Sequence, residues 1–347
     1  MMIEIDGSQG EGGGQILRTA LALAIVTGQA LRLTRIRARR PKPGLMRQHL
    51  ACVQAAQAIS GAEVEGAELG ATELRFAPGP VRAGDYDFRI ASAGSCLLVL
   101  QTVLPPLLLA DAPSTLHLQG GTHNPMAPSF HFVRDAFAPL LARMGGALAL
   151  DLQRAGFYPA GGGALTATLT PGGPLRALDV CERGTLQHAQ AECLAPTLPR
   201  NIAFRELETV AKLTGWPQAQ LITAPAQTGE GPGNALIGTL RYEHVTEVFT
   251  SLGERGVPAE TVAQRLVKQM RRYQAHTAAL GPHLADQWAL LQALAVWQSG
   301  QTARFTCTEA TEHLRTNCTV IERFLPLRFT LDGSNAAAGT QVTVTRR

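Results

Sequence analysis

Apolar positions along this chain follow in turn the two-residue period of a β-strand and the 3.6-residue period of an α-helix. In the first part of the chain this pattern predicts strands at residues 2–5, 31–36, 63–65 and 73–76, and helices at residues 15–26 and 45–59. Gly28 follows the first helical segment, where a left-handed helix cap favours glycine. The predicted order is β-α-β-α-β-β.

The same order is predicted twice more. The second round has strands at residues 86–90, 115–118, 147–152 and 164–170 and helices at residues 95–109 and 128–144. The third has strands at residues 177–181, 303–307, 327–331 and 341–345 and helices at residues 284–298 and 313–323. Each unit would leave one face of its sheet exposed, so its neighbours must cover that face. The sequence therefore predicts an α+β fold of three repeated units, each with two helices on a four-stranded sheet.

A segment of different order interrupts the third round. It is predicted to contain a strand at residues 186–193, a helix at 199–213, a strand at 219–224, two strands flanking Tyr242 and a helix at 258–273. Its length suffices for a small domain. We therefore predict a core of residues 1–183 and 277–347 with an inserted α/β domain of residues 184–276. Glycine-rich residues 227–233 are predicted to form a mobile loop.

The composition is that of an ordinary globular protein, because 45% of the 347 residues are apolar and 17% are charged. The longest apolar stretch, residues 96–110, is interrupted by Gln101, Pro105 and Pro106 and falls short of the ~20 residues of a membrane span. We expect a buried helix there and no membrane partner. The six cysteines form no C-x-x-C pair and no secretory signal is visible, so reduced thiols and a cytoplasmic location are expected.

Charge is unevenly distributed, although the net charge is only +4. No acidic residue occurs between Glu11 and Glu63. The basic residues of that stretch are Arg18, Arg32, Arg35, Arg37, Arg39, Arg40, Lys42 and Arg47. A segment of one sign favours a polyanionic partner such as RNA or ATP. A solvated basic face gives the same pattern, and charge alone does not separate the two.

Residues 7–15 (GSQGEGGGQ) form a glycine-rich loop between a predicted strand and a predicted helix. Glycines let the backbone approach a ligand closely, and the N–H groups of a helix N-terminus attract phosphate. Glu11 could hold Mg²⁺ beside such phosphates. The alternative is a glycine-rich turn without a ligand. The loop is not a Walker loop, because the chain has no Gly-Lys pair, and Gln15 occupies the last glycine position of a G-x-G-x-x-G motif.

Two other glycine-rich loops are less specific. Residues 156–163 (GFYPAGGG) precede a predicted strand, and tight packing against another backbone explains them at least as well as a ligand does. Residues 120–128 (GGTHNPMAP) lead into a predicted helix and could line a pocket.

Residues 308–317 (TEATEHLRTN) follow a predicted strand and open a helix. A neutral imidazole at His313 would be a nucleophile, and the helix N-terminus would attract the phosphate that it attacks. A lone histidine is more often a surface or capping residue. Only Lys42, Lys212 and Lys268 are lysines, and none begins the K-x-D-G pattern of lysine-adenylating ligases. If a covalent nucleotide intermediate forms, histidine is the better candidate.

Taken together, these segments resemble the RNA 3′-terminal phosphate cyclase family. The matching motifs are residues 6–18 (DGSQGEGGGQILR), 42–45 (KPGL), 47–49 (RQH), 92–96 (SAGSC), 156–163, 283–287 (HLADQ), and His313 with Thr316 and Asn317. The resemblance covers nearly the whole chain, and the combination of motifs is specific although each is weak alone. One departure is Ala155, where the family usually has Arg or His.

The resemblance implies a fold of three such units with a small thioredoxin-like domain inserted in the third. It also implies ligase chemistry in three steps. His313 attacks the α-phosphorus of ATP, the AMP passes to an RNA 3′-phosphate, and the neighbouring 2′-OH closes a 2′,3′-cyclic phosphate and releases AMP. ATP is the implied co-substrate, Mg²⁺ (or Mn²⁺) the metal, and RNA with a 3′-phosphate end the partner; no protein partner is predicted.

The resemblance further implies roles for single residues. The ATP-binding positions are Arg18, Gln101, Pro128, His283, Leu284, Ala285, Asp286 and Gln287, with Pro128 near the base. Arg18, Arg37, Arg40 and Gln48 would face phosphates of ATP or RNA, and Glu11 would bind the metal. No motif assigned to the nucleotide lies within residues 184–276.

Two other classes have a similar architecture. A cyclase-like ribosome-assembly protein would bind RNA without catalysis, and His313 in its expected frame argues against it. An enolpyruvyl transferase would act on a small molecule, and the basic segment and the histidine favour RNA instead.

Overall fold

The computed structural model describes residues 2–90, 92–225, 232–335 and 338–347 of the chain. Its first unit consists of β1 (Met2–Asp6), α1 (Gly14–Thr27), β2 (Ala30–Thr34), α2 (Arg47–Ser60), β3 (Glu63–Glu65) and β4 (Leu74–Ala77). The sheet has the order β1-β2-β4-β3, in which β1 and β2 are parallel and the other pairs antiparallel. Gly28 ends α1 in the left-handed conformation, as expected.

The second unit has the same topology. It consists of β5 (Asp85–Arg89), α3 (Cys96–Leu108), β6 (Ser114–Gly120), a π-helical segment (Phe132–Phe137) that continues as α4 (Ala138–Met144), β7 (Ala147–Arg154) and β8 (Gly163–Thr170). The order β5-β6-β8-β7 again has one parallel pair, β5 with β6. Pro105 and Pro106 lie inside α3 without ending it.

A four-stranded sheet of its own follows at residues 184–276. The segment consists of β9 (Leu186–Leu194), α5 (Arg200–Thr214), β10 (Leu221–Thr223), β11 (Ala235–Tyr242), β12 (Thr246–Leu252) and α6 (Ala259–Gln274). The strand order is β10-β9-β11-β12, so β12 is an edge strand. Of the loop predicted at residues 227–233, residues 227–231 lie outside the described part of the chain.

The last unit contains α7 (Pro282–Ser299), β13 (Ala303–Cys307), α8 (Glu312–Phe324), β14 (Leu327–Asn335) and β15 (Gly339–Arg346). Its sheet, β13-β15-β14, has three strands, because the strand predicted at residues 177–181 is reduced to one parallel bridge between Val180 and Phe305. Backbone groups on either side of Val180 form hydrogen bonds with side chains instead of with a strand. The amide of Gln292 bonds both the N–H and the C=O of Leu178, and the Thr306 hydroxyl donates to Cys181 O.

The sheets and helices of the first, second and last units share one hydrophobic core, in which Trp288 of α7 is fully buried. Residues 184–276 have a second cluster between one face of their sheet and helices α5 and α6. The opposite face packs on the main core through Leu194, Ala235, Ile237 and Val248. This mixture of helices and small mixed sheets confirms the α+β class. Within the described ranges, no helix is both long and apolar enough to cross a membrane.

The glycine loop after β1 packs against Thr316 in the second turn of α8. The Glu11 N–H donates to the Thr316 hydroxyl at 3.2 Å, and Gly10 adopts a left-handed φ of 52°. A Cβ on Gly10 would lie 2.0 Å from Thr316 Oγ1. This contact brings the N-terminal loop and the C-terminal helix together at one place.

Replacing Gly10 by alanine should therefore cost more than backbone strain alone. Gly10→Ala should lower the free energy of unfolding by about 3 kcal/mol, because it adds a clash to the left-handed strain. Gly28→Ala is the matched control, since a Cβ at Gly28 meets nothing within 4 Å, and should cost about 1 kcal/mol. Denaturant unfolding measures both, and equal losses would show that the loop does not press on Thr316.

Candidate active site

A cleft lies between α1, α3, α7, α8 and the π segment. Its walls are largely apolar and include Leu97, Leu104, Phe132, Phe137 and Leu290. The polar side chains that line it are Arg18, Thr19, Gln101, Asp286, Gln287 and Asn317. An apolar cleft with a few convergent polar groups is the usual form of a small-molecule site.

Four helices are linked along the cleft by two sets of polar contacts. Arg18 Nε of α1 donates to Gln101 Oε1 of α3 at 3.0 Å, and the Gln101 amide donates to Gln287 Oε1 of α7. Asn317 of α8 accepts from the Thr19 hydroxyl at 2.8 Å and donates to Asp286 O at 3.1 Å. The polar groups of the cleft thus hold one another in place before any ligand enters.

His313 lies beside this cleft in the first turn of α8 and is 43% exposed. Its Nδ1 is 2.9 Å from Gln15 Oε1, and the Gln15 amide nitrogen donates to Asp286 Oδ1. Burial raises the pKa of Asp286 to about 6, so above that value it is an ionised acceptor. The Gln15 NH₂ must then face Asp286 and its oxygen must face His313. His313 Nδ1 consequently carries the proton, and Nε2 keeps its lone pair.

Glu11 lies close to His313, in the middle of the glycine loop. Its side chain is only 7% exposed; Oε2 pairs with the Arg40 guanidinium, and Oε1 is 3.6 Å from His313 Nδ1. Oε1 is buried without a hydrogen-bond partner. Nowhere in the described ranges do three or more His, Cys, Asp or Glu side chains form a metal cluster. One unpartnered carboxylate oxygen nevertheless fits Mg²⁺, which binds one or two carboxylates and takes its other ligands from water and phosphates.

Part of the basic segment surrounds the same loop. Arg37 donates to Lys42 O at 2.7 Å and to Gly44 O at 2.9 Å, while burial and the nearby Arg40 lower its pKa. The Arg39 guanidinium is 3.3 Å from Gly10 O. Arg32 and Arg35 instead form ion pairs with acidic residues outside the segment. The basic segment is therefore partly neutralised, and Arg39 and Arg40 contact the glycine loop.

Of the other predicted site residues, some line the cleft and some do not. Pro128, Asp286 and Gln287 line the cleft. Leu284 and Ala285 are fully buried in the main core, so only their backbone could touch a ligand. His283 is exposed in the first turn of α7. Gln48 Oε1 accepts from the Ser95 N–H at 3.2 Å, which links α2 to α3.

His49 belongs to a matching motif, but the sequence assigned it no role. Burial and the charges of Arg37 and Arg18 lower its pKa to about 3. Its Nδ1 accepts from the Met46 N–H, so Nε2 carries the proton. A Cβ on Gly14 would lie 2.5 Å from that Nε2 and 2.9 Å from Arg18 Nη1. Because Gly14 has no side chain, the N–H donors of His49 and Arg18 can lie close to the N-terminus of α1. Donors at a helix N-terminus are what an anion site requires.

The loop at residues 156–163 does not reach the cleft. A Cβ on Gly156 would lie 2.3 Å from Gly163 N and 2.6 Å from Gly120 O, and one on Gly163 would also meet Gly120 O at 2.6 Å. These distances favour close backbone packing as the reason for its glycines. Ala155 is buried in the main core.

Comparison with known proteins identifies the family to which the chain belongs. The RNA 3′-terminal phosphate cyclase family matches residues 9–331. This chain belongs to that family. Its relatives include the RNA 3′-terminal phosphate cyclase of Ralstonia nicotianae, 53% identical over 99% of this chain and 97% of the relative. The cyclase of Salmonella typhimurium is 48% identical over 96% of this chain and 97% of its own.

One solved structure, the EPSP synthase of Acinetobacter baumannii, aligns with 99% of this chain and 64% of its own. The TM-score is 0.28 and the sequence identity 11%. A TM-score of this size does not indicate a shared fold, so the likeness lends no weight to an enolpyruvyl transferase.

The hydrogen bond from His313 to Gln15 predicts one tautomer of the ring. At alkaline pH, where imidazole is neutral, ¹⁵N–¹H correlation spectra should place the His313 proton on Nδ1. Gln15→Met removes the acceptor, so both tautomers should appear. Gln29→Met is the control, because the Gln29 amide donates to Phe324 O at 3.3 Å and has no contact with His313. An Nε2–H tautomer in the unsubstituted protein would refute the assignment.

Proposed function

We propose that this member of the cyclase family converts an RNA 3′-terminal phosphate into a 2′,3′-cyclic phosphate at the expense of ATP, with His313 as the covalent nucleophile. The observation that carries the proposal is the Nε2 lone pair of His313, left available beside the cleft because Gln15 accepts from Nδ1. The relatives' names and the matched family support the reaction class.

In the first step, His313 Nε2 attacks the α-phosphorus of ATP. A P–N bond forms, the bond from that phosphorus to the bridging oxygen breaks, and pyrophosphate leaves. The positive charge that develops on the ring is stabilised through Gln15 by Asp286. Gln15 and Asp286 lie on the Nδ1 side, so they stabilise the imidazolium without blocking attack.

In the second step, an oxygen of the RNA 3′-phosphate attacks the phosphorus of the histidine-AMP adduct, giving RNA(3′)pp(5′)A and restoring His313. In the third, the 2′-OH attacks the activated 3′-phosphorus, loses its proton and expels AMP as the ring closes. Phosphoryl transfer of this kind depends mainly on positioning and charge neutralisation. Arg18, Arg37, Arg40 and the Nε2–H of His49 would supply the positive charge and hydrogen bonds at the glycine loop.

The nucleotide would lie with its base against the apolar walls of the cleft, near Pro128. Asp286, Gln287 and Gln101 are the polar groups placed to orient it. Glu11 would hold Mg²⁺ (or Mn²⁺), which supplies charge neutralisation to the triphosphate. Glu11 Oε1 has no hydrogen-bond partner and is the oxygen available to the metal. Glu11 Oε2 pairs with Arg40.

The finer architecture is also a proposal: three repeated units, with a thioredoxin-like domain at residues 184–276 inserted in the third. The identical strand order of the first two sheets supports the repeat. The bridge of Val180 to β13 supports a third unit whose first strand is vestigial. The separate apolar cluster of residues 184–276 supports the insert.

A non-catalytic, RNA-binding role is the remaining alternative. It would not require the aligned His313, Gln15 and Asp286, or the unpartnered Glu11 oxygen. Those four residues come from α1, its preceding loop, α7 and α8, and their convergence favours catalysis.

The direct test is covalent labelling with α-³²P-ATP and Mg²⁺. The protein should retain label that is released in acid and stable in alkali, as expected for a P–N bond. His313→Ala and His313→Asn should retain none, because no other group combines exposure with this network. Both should unfold within about 1 kcal/mol of the unsubstituted chain, since the side chain is partly exposed.

The control is His117→Asn, which changes an exposed histidine of β6 that contacts Thr166 and should still be labelled. Label in either His313 variant, or on Lys42 after peptide mapping, would contradict the mechanism. Absence of label in the unsubstituted protein, with intact folding, would contradict the proposed function itself.

A further inference from the structure

Strand β12, which lies in residues 184–276, touches both walls of the nucleotide cleft. Glu247 and Thr250 are three residues apart on this edge strand and project from opposite faces. Glu247 contacts the start of α7, and Thr250 contacts the start of the helix that includes the π segment. Neither residue lines the cleft.

Glu247 holds the wall formed by α7. It is 3% exposed, and its Oε1 accepts from the Gly281 N–H at 2.5 Å. Gly281 is the N-cap of α7, whose first two turns carry Asp286 and Gln287. Arg183, Tyr273 and the N-terminus of α7 face the carboxyl group, and burial raises its pKa to about 8. A buried acceptor at this point fixes where α7 begins.

Thr250 holds the opposite wall. Its Oγ1 is 2.9 Å from Ser129 Oγ, which also accepts from the Phe132 N–H at 3.2 Å. Ser129 directly follows Pro128, and Phe132 begins the π segment that lines the cleft. The hydroxyl pair therefore fixes the start of the helix against which the base would pack.

We propose that β12 is a brace that sets the separation of the two cleft walls, and that Glu247 and Thr250 are positioning residues for ATP binding. Residues 184–276 carry no motif assigned to the nucleotide, yet through β12 they would shape its site. This inference rests on the proposed function, because it takes the cleft to be the ATP site.

The test is equilibrium binding of ATP in a His313→Ala background, where no adduct forms. Glu247→Ala should weaken ATP binding about tenfold, because the Gly281 N–H loses its buried partner and α7 shifts. Glu247→Gln keeps an acceptor oxygen and should stay within about threefold of the unsubstituted chain. Thr250→Val should weaken binding about threefold, and Thr250→Ser should restore it.

Glu243→Gln and Thr246→Val are the matched controls. Both residues lie in the hairpin of β11 and β12, and neither side chain bonds to a wall of the cleft. Both should bind ATP within about twofold of the unsubstituted chain. Melting curves establish that each variant is folded at the assay temperature. If Glu247→Ala does not fold, the comparison of Thr250→Val with Thr250→Ser decides.

Folded Glu247→Ala and Thr250→Val variants with unchanged ATP affinity would overturn the brace. Equal weakening by the control substitutions would overturn it too, because the effect would then be a general loosening. Failure of the His313→Ala parent to bind ATP at all contradicts the proposed function instead, so the two failures are distinguishable.

Discussion

The amide of Gln15 is the interaction on which the site depends, because it joins a histidine to a buried carboxylate and can do so in only one orientation. Asp286 accepts from the amide nitrogen, so the amide oxygen faces His313 Nδ1. Gln15 lies on α1, Asp286 on α7 and His313 on α8, and these helices form part of the main core. The packing of three distant segments of the chain therefore determines which nitrogen of the His313 ring carries the proton.

Much of the fold could be predicted from the sequence, since the elements have clear periods and ends. Residues 95–109 were predicted as one helix in spite of Pro105 and Pro106, and α3 confirms it. The strand at residues 177–181 was predicted wrongly, because its backbone groups are taken by the side chains of Gln292 and Thr306. Such long-range side-chain bonds leave no periodic trace in the sequence.

Glu11 and His313 could be proposed from the sequence because each stands in a dense local motif, and their roles remain predictions. A residue could not be proposed where the reason for its role lies in another part of the chain. Gln15 belongs to the glycine motif, yet its role appears only once Asp286 and His313 are placed beside it. Glu247 and Thr250 stand in an unremarkable strand, and only the fold brings them to the two cleft walls. The one local signal that could have indicated Glu247 is a carboxylate within an otherwise largely apolar stretch, residues 245–249 (VTEVF).

We propose that Gln15 leaves Nε2 of His313 free to attack phosphorus. The most direct test is to find which ring nitrogen bears AMP, through ³¹P–¹⁵N coupling in the adduct of ¹⁵N-histidine-labelled protein. Phosphorus is expected on Nε2, with the proton on Nδ1 still donated to Gln15. A phosphorus on Nδ1 would contradict it, because that nitrogen could not then donate to Gln15.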